Sequence, residues 1–232
     1  SAPDVVRHAD IFAPHVNANV FIDTRGEWRR HAQYPEKCVR LFEPRDAALF
    51  HSVGSGTRDI PLSFIGTSFG RMDRALNLAY LKGRGIGVFE TQGQKMSNLA
   101  PIDYANLLRR SLVTIGFSSA ITFQHLTGRT IEATLCGAML LESENGETPA
   151  LLDPYADYVP FREHFHYLNH SQIAGQDGDL ADKALHYAYE KPEEARRIAE
   201  SGRKKVVERC DGREFWGKIF EIVGLSSRFE SG

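Results

Sequence analysis

Cysteine is scarce in this chain: only Cys38, Cys136 and Cys210 occur in 232 residues, far apart and with no CxxC pair. So odd and scattered a set builds neither a disulfide framework nor a cysteine zinc site, and reads as reduced thiols in a cytoplasmic protein. Long apolar runs are missing too, none approaching the ~18 residues that span a bilayer. The opening SAPDVVRHAD lacks the basic-then-apolar pattern of a signal peptide. Nor is there an excess of either charge. Lys+Arg number 28 and Asp+Glu 30, for a net charge of −2. That excludes a general basic field for nucleic acid or anionic membrane, while leaving room for a local basic cleft. Internal repeats and low-complexity tracts are absent.

Two nucleotide-binding signatures are also lacking. There is no GxxxxGK[ST] phosphate loop. Gly83-Arg-Gly-Ile-Gly87 imitates a dinucleotide fingerprint, but its glycines precede a strand instead of following one and opening a helix. A nicotinamide-dependent oxidoreductase would need that turn after the first strand, where TSFGR stands instead. His164, His166 and His170, with Asp153 and Asp157 nearby, hint at a metal. Half-buried histidines on a strand are the commoner arrangement, and no metal site is expected.

What is present is a folding composition, 42% hydrophobic and 25% charged. The length allows one large domain, or one domain and a fragment. From about residue 60, short apolar strands alternate with amphipathic helical patterns. Strands are expected at Pro61–Gly66, Gly85–Glu90, Leu112–Phe117 and Ala138–Glu142, with a last one at Phe165–Leu168. Helices are expected at Arg71–Lys82, Asp103–Arg110 and Arg129–Cys136, with a short turn at Pro149–Leu152. Three more, at Leu180–Glu190, Pro192–Arg209 and Arg213–Val223, close the chain. Such βα repeats imply a Rossmann-like, doubly wound α/β fold with a mainly parallel sheet and C-terminal helices. Residues 1–58 show no such alternation.

Open parallel sheets bind ligands beyond the carboxyl ends of their strands, so the loops after the strands hold the candidates. Gly128-Arg129-Thr130-Ile131-Glu132 is the sharpest. Gly128 permits close approach, the free N–H groups and Arg129 suit a diphosphate, and Glu132 is placed to accept from two ribose hydroxyls. The same residues also read as an ordinary helix start with Arg129 paired to Glu132. Gly66-Thr67-Ser68-Phe69-Gly70-Arg71, with Arg74 one turn later, is a second candidate anion cradle.

Taken in order, these segments resemble the C-terminal donor-binding domain of bacterial GT-B glycosyltransferases of group 1. The likeness runs from about Asp59 to Val223. It is carried by RDIPLSFIGT, GIGVFETQGQ, DYANLLRRSLVTIGFSS, GRTIEATLCGAMLLESENGET, ADYVPF and the terminal KPEEARRIAESGRKKVVERCDGREFWGKIF. The resemblance implies a nucleotide-sugar donor, UDP- or GDP-linked, whose sugar passes to a hydroxyl acceptor without a metal or other cofactor. Gly66, Thr67 and Arg71 or Arg74 match the first phosphate-facing turn, and Ser118 and Ser119 the loop after the third strand. Arg129 matches the diphosphate contact and Glu132 the ribose-binding acid, with Gly128 and Thr130 in the same turn. Asn145, Glu147 and Thr148 match the loop facing the donor sugar, and the Phe89–Gln94 loop borders the nucleobase. Many retaining relatives carry two glutamates eight residues apart. Here Gln124 holds the first position, so retention of configuration stays open. The resemblance divides the chain at residue 58. Residues 1–58 read as the end of an acceptor-side domain and its linker, and 59–232 as the donor domain. A missing acceptor domain or partner chain is implied, with His8 and His15 the early candidates for an acceptor-side base. A module that binds nucleotide without turnover is the alternative.

Overall fold

The computed structural model describes residues 21–23, 38–52, 57–68, 70–91, 99–117, 126–169 and 172–222. Two short strands, β1 (Phe21–Asp23) and β2 (Cys38–Arg40), pair in parallel in the first part of the chain. The central sheet follows. It comprises β3 (Ile60–Phe64), β4 (Phe89–Glu90), β5 (Ser111–Gly116), β6 (Met139–Ser143) and β7 (Val159–Phe161), in the order β4-β3-β5-β6-β7 and all parallel. Numbering those five strands in chain order gives 2-1-3-4-5, the doubly wound arrangement whose switch point lies between β3 and β5.

β5 and β6 are buried at every position, as strands covered on both faces must be. Helix α1 (Met72–Gly83) lies on one face and packs Leu78 and Leu81 against Leu62, Phe64, Val113 and Ile115. α2 (Pro101–Arg110) and α3 (Gly128–Leu135) cover the other, where Tyr104, Leu108, Ile131 and Leu135 meet Leu140 and Tyr158. Pro101 opens α2, so Asp103 falls in its first turn as expected. Thr127 caps α3, its hydroxyl accepting from the Thr130 N–H at 3.4 Å.

The last strand differs from the sequence expectation. The fifth strand of the sheet is Val159–Phe161, whose Pro160 is tolerated because β7 is an edge. Phe165–Tyr167 (β8) instead forms an antiparallel hairpin with β9 (Ile173–Gly175). Asn77 of α1 holds this hairpin. Its Oδ1 accepts from the His164 N–H at 2.8 Å, and its Nδ2 donates to the Phe165 carbonyl at 2.7 Å. The expected helix Leu180–Glu190 is α4 (Leu180–Leu185) running into a π-helical turn at His186–Glu190. α5 (Pro192–Arg209) contributes to both core clusters, and α6 (Gly212–Ile222) follows with no buried residue. Among the described residues no helix is long and apolar enough to cross a membrane.

Candidate functional site

At the carboxyl ends of β3, β5 and β7, Phe64, Phe117 and Phe161 form an aromatic row, with successive ring centroids 5.6 Å apart in edge-to-face pairs. Two guanidinium groups lie over it. Arg129, at the start of α3, sits 5.5 Å from the Phe64 ring centre, and Arg74, from α1, sits 6.0 Å from that of Phe117. Arg74 donates to the Phe117 carbonyl at 2.9 Å and the Thr67 carbonyl at 3.4 Å, tying the ends of β3 and β5 together. Arg71 forks onto the buried Asp73 at 3.1 and 2.6 Å. These arginines feel one another. Burial first, then the charges of Arg71 and Arg129, push Arg74 down to about 10, opposed by Asp73 and Glu142. Arg74 stays charged at neutral pH, but the site holds that charge at a cost that an anion would relieve.

The glycines of these loops have a role beyond turn formation. A Cβ on Gly66 would stand 2.6 Å from Nη2 of Arg129. One on Gly116 would overlap the Glu142 carboxylate, and one on Gly128 would overlap the Arg45 guanidinium. Each missing side chain thus admits a charged one. At Gly128 the neighbour is a residue of the same chain, Arg45, in the space the sequence reading gave to a ligand. Thr91, just after β4, fixes the Gly66 backbone: its Oγ1 accepts from the Gly66 N–H and donates to the Gly66 carbonyl, both at 3.2 Å.

Glu132, one turn into α3, is held on both sides. Tyr104 Oη donates to Oε2 at 2.9 Å, and Arg45 Nε pairs with Oε1 at 3.2 Å. Burial above all keeps the Tyr104 phenol protonated, pushing it up against the opposing charge of Arg129. Arg129 leans toward Gly66 and Phe64.

The loop after β6 is locked by Asn145, whose Oδ1 accepts from the N–H groups of Glu147 at 2.9 Å and Thr148 at 2.7 Å. Its Nδ2 donates to the Thr148 hydroxyl at 3.0 Å. Glu147 pairs with Arg40 at 3.5 Å. Asn145 therefore shapes the loop, and Glu147, buried against Arg40, is its charged member. Thr148 is fully buried. Thr130 is buried too, its hydroxyl turned inward to Glu142 at 3.3 Å, so it supports the site from below. Phe89 stands 40% exposed on the edge strand β4. Ser118, Ser119, Gln124, His8 and His15 lie outside the described residues.

The structure thus gathers Gly66, Thr67, Arg71, Arg74 and Arg129 at the switch point, with Glu132 on the adjoining turn. Sequence reasoning missed Arg45, Tyr104, Thr91 and Glu142. Glu142 had a signal, an acid closing an otherwise apolar strand; the other three lay in patterns that fit a helix or loop equally well. Among the described residues no group of three His, Cys, Asp or Glu side chains is placed to hold an ion.

A family model described as "Glycosyl transferase-like" matches residues 45–219. Among solved structures, Anabaena HepE in complex with UDP and glucose superposes with a TM-score of 0.61 and 12% identity, over 99% of this chain and 66% of that one. Sucrose-phosphate synthase from Thermosynechococcus elongatus gives 0.63 and 12%, over 100% and 62%. A glycosyltransferase from Rickettsia africae gives 0.59 and 11%, over 95% and 67%. This chain therefore spans about two thirds of the length of these proteins. None of the curated proteins matches it. The Rossmann-like α/β fold is the one these structures share, and with three quarters of its length matched the chain belongs to the glycosyl transferase-like family.

Proposed function

We propose that this chain binds a nucleoside diphosphate sugar, UDP- or GDP-linked, and supplies the donor half of a glycosyl transfer to a hydroxyl acceptor. The observation that carries the reading is the arginine cluster. Arg71 and Arg129 both bring positive charge to bear on the buried Arg74 at the β3–β5 switch point, with Asp73 and Glu142 opposing it, and Arg74 and Arg129 lie over the rings of Phe117 and Phe64. Burying like charges together is unfavourable unless an anion arrives between them, and a diphosphate has the size and charge to do so. That Anabaena HepE is recorded with UDP-glucose lends support from a protein of the same fold.

In the reaction, the bond between the anomeric carbon and the β-phosphate oxygen breaks. A bond from that carbon to the acceptor oxygen forms, and the acceptor hydroxyl gives up its proton. Negative charge grows on the departing diphosphate. Arg129, Arg74 and the first-turn N–H groups of α3 are placed to stabilise it, which makes a metal unnecessary for that task. Glu132 accepts from the ribose hydroxyls, and the loop of Asn145 and Glu147 meets the sugar. Phe89 on β4 borders the base. The acceptor and its base belong to a further domain or partner chain, and the setting is the cytoplasm.

The test is calorimetric titration of the Arg129→Met and Arg74→Met variants with UDP or GDP, whichever binds, and with the matching nucleoside. Each variant is expected to lose about tenfold or more in diphosphate affinity, as the loss of a charge-assisted contact implies, with nucleoside affinity little changed. Equal diphosphate affinity in both variants and the parent would refute the assignment.

A further inference from the structure

Both acids assigned to the donor, Glu132 and Glu147, are held by arginines from one short stretch ahead of β3. Arg40, at the end of β2, reaches Glu147 at 3.5 Å, and Arg45, five residues on, reaches Glu132 at 3.2 Å. The four side chains are between 8% and 21% exposed, so these are partly desolvated pairs of the kind that fix geometry. The stretch is anchored again beyond Arg45, where Arg109 donates to the carbonyls of Leu49 and His51.

Arg45 is the more informative of the two. Its guanidinium lies in the gap left by the absent side chain of Gly128, against the first turn of α3. That is the positive end of a helix dipole, where a cation is disfavoured on its own. It is kept there by Glu132 on one side and Glu43, 3.0 Å from Nη1, on the other. With Tyr104 Oη on Oε2 and Arg45 on Oε1, the Glu132 carboxylate has one orientation available to it.

We propose that Arg45 is a positioning residue of the donor site. It aims the Glu132 carboxylate at the ribose and so makes ribose recognition depend on the placement of the stretch ahead of β3. The proposal rests on the donor reading above. Glycine at position 128 is then required by Arg45: any larger residue would expel the guanidinium from Glu132.

The experiment is calorimetric titration of the full chain and its Arg45→Ala and Arg45→Lys variants with UDP and 2′-deoxy-UDP, or the GDP pair if the parent prefers guanine. The parent is expected to favour the ribose form. Arg45→Ala should lose about tenfold on the ribose form and less than about twofold on the deoxy form, so that the preference collapses. Arg45→Lys, which keeps the charge, should restore part of it. General destabilisation would weaken both ligands together and leave their ratio intact, and an intact ratio in Arg45→Ala overturns this proposal alone. A parent that binds neither UDP nor GDP overturns the donor reading, and this proposal with it.

Discussion

At the scale of single residues, the site is a set of charged side chains fitted against glycines, and the three fits are not equally forgiving. At Gly116 the neighbour is Glu142, fully buried in the adjoining strand with no room to withdraw. Gly116→Ala should lower stability by about 1–3 kcal/mol, the usual cost of overpacking, as read by urea denaturation. At Gly128 the neighbour is the end of the flexible Arg45 side chain. Gly128→Ala should therefore fall within about 0.5 kcal/mol of the parent in the same measurement, while disturbing Glu132. A second prediction concerns the arginine cluster. Pyrophosphate should raise the melting temperature above that in chloride of equal ionic strength, and the rise should vanish in a doubly substituted Arg74→Met, Arg129→Met protein. The sequence allowed Arg129, Arg74 and Glu132 to be picked out, because arginine and acid in glycine-rich turns after strands are informative on their own. It did not reveal Arg45, because a contact between residue 45 and residue 132 leaves no periodic or local trace.

Among the elements, strands flanked by clear helices were legible, and those without them were not. β5 and β6 are mainly apolar runs with α2 and α3 beside them, so the sequence pattern places them to within a residue or so. β7 did not, because three residues around a proline carry no strand signal; only its neighbour β6 makes it a strand. Phe165–Leu168 reads as a strand, but nothing local says that it pairs with β9 outside the main sheet, where Asn77, nearly ninety residues earlier, anchors it. That bridge is testable. Asn77→Ala leaves the His164 and Phe165 N–H groups without their acceptor and should cost about 2–4 kcal/mol by chemical denaturation. The hairpin also gives a pH response. His164, stacked on Tyr80 at 4.0 Å between centroids, has its pKa held below 6.5 by burial, with Arg84 adding to the effect and Asp182, Asp179 and Asp177 opposing it. Its imidazole accepts from the Ala181 N–H at 3.4 Å. Below pH 6.5 the unfolded chain takes up a proton that the folded one resists, so stability is full above that value and declines as pH falls. Melting temperature should drop between about pH 7.5 and 5.5, and the drop should be smaller in His164→Gln.

For the whole molecule, the doubly wound class and the parallel sheet were readable from the βα alternation, and the 2-1-3-4-5 order locates the switch point where the arginines gather. Strand order itself is set by tertiary packing and was not readable. The stretch ahead of β3 reads as irregular because its arginines answer to acids some ninety to a hundred residues further along the chain, which no local pattern encodes. In the proposed function, this switch point takes a nucleoside diphosphate on side-chain cations and backbone N–H groups alone. The most direct measurement is calorimetric titration of the chain with UDP, GDP, ADP and NAD in the presence of EDTA. Selective binding of UDP or GDP, unchanged when magnesium replaces EDTA, is the predicted result. Binding of NAD in their place, or a strict need for magnesium, would contradict it.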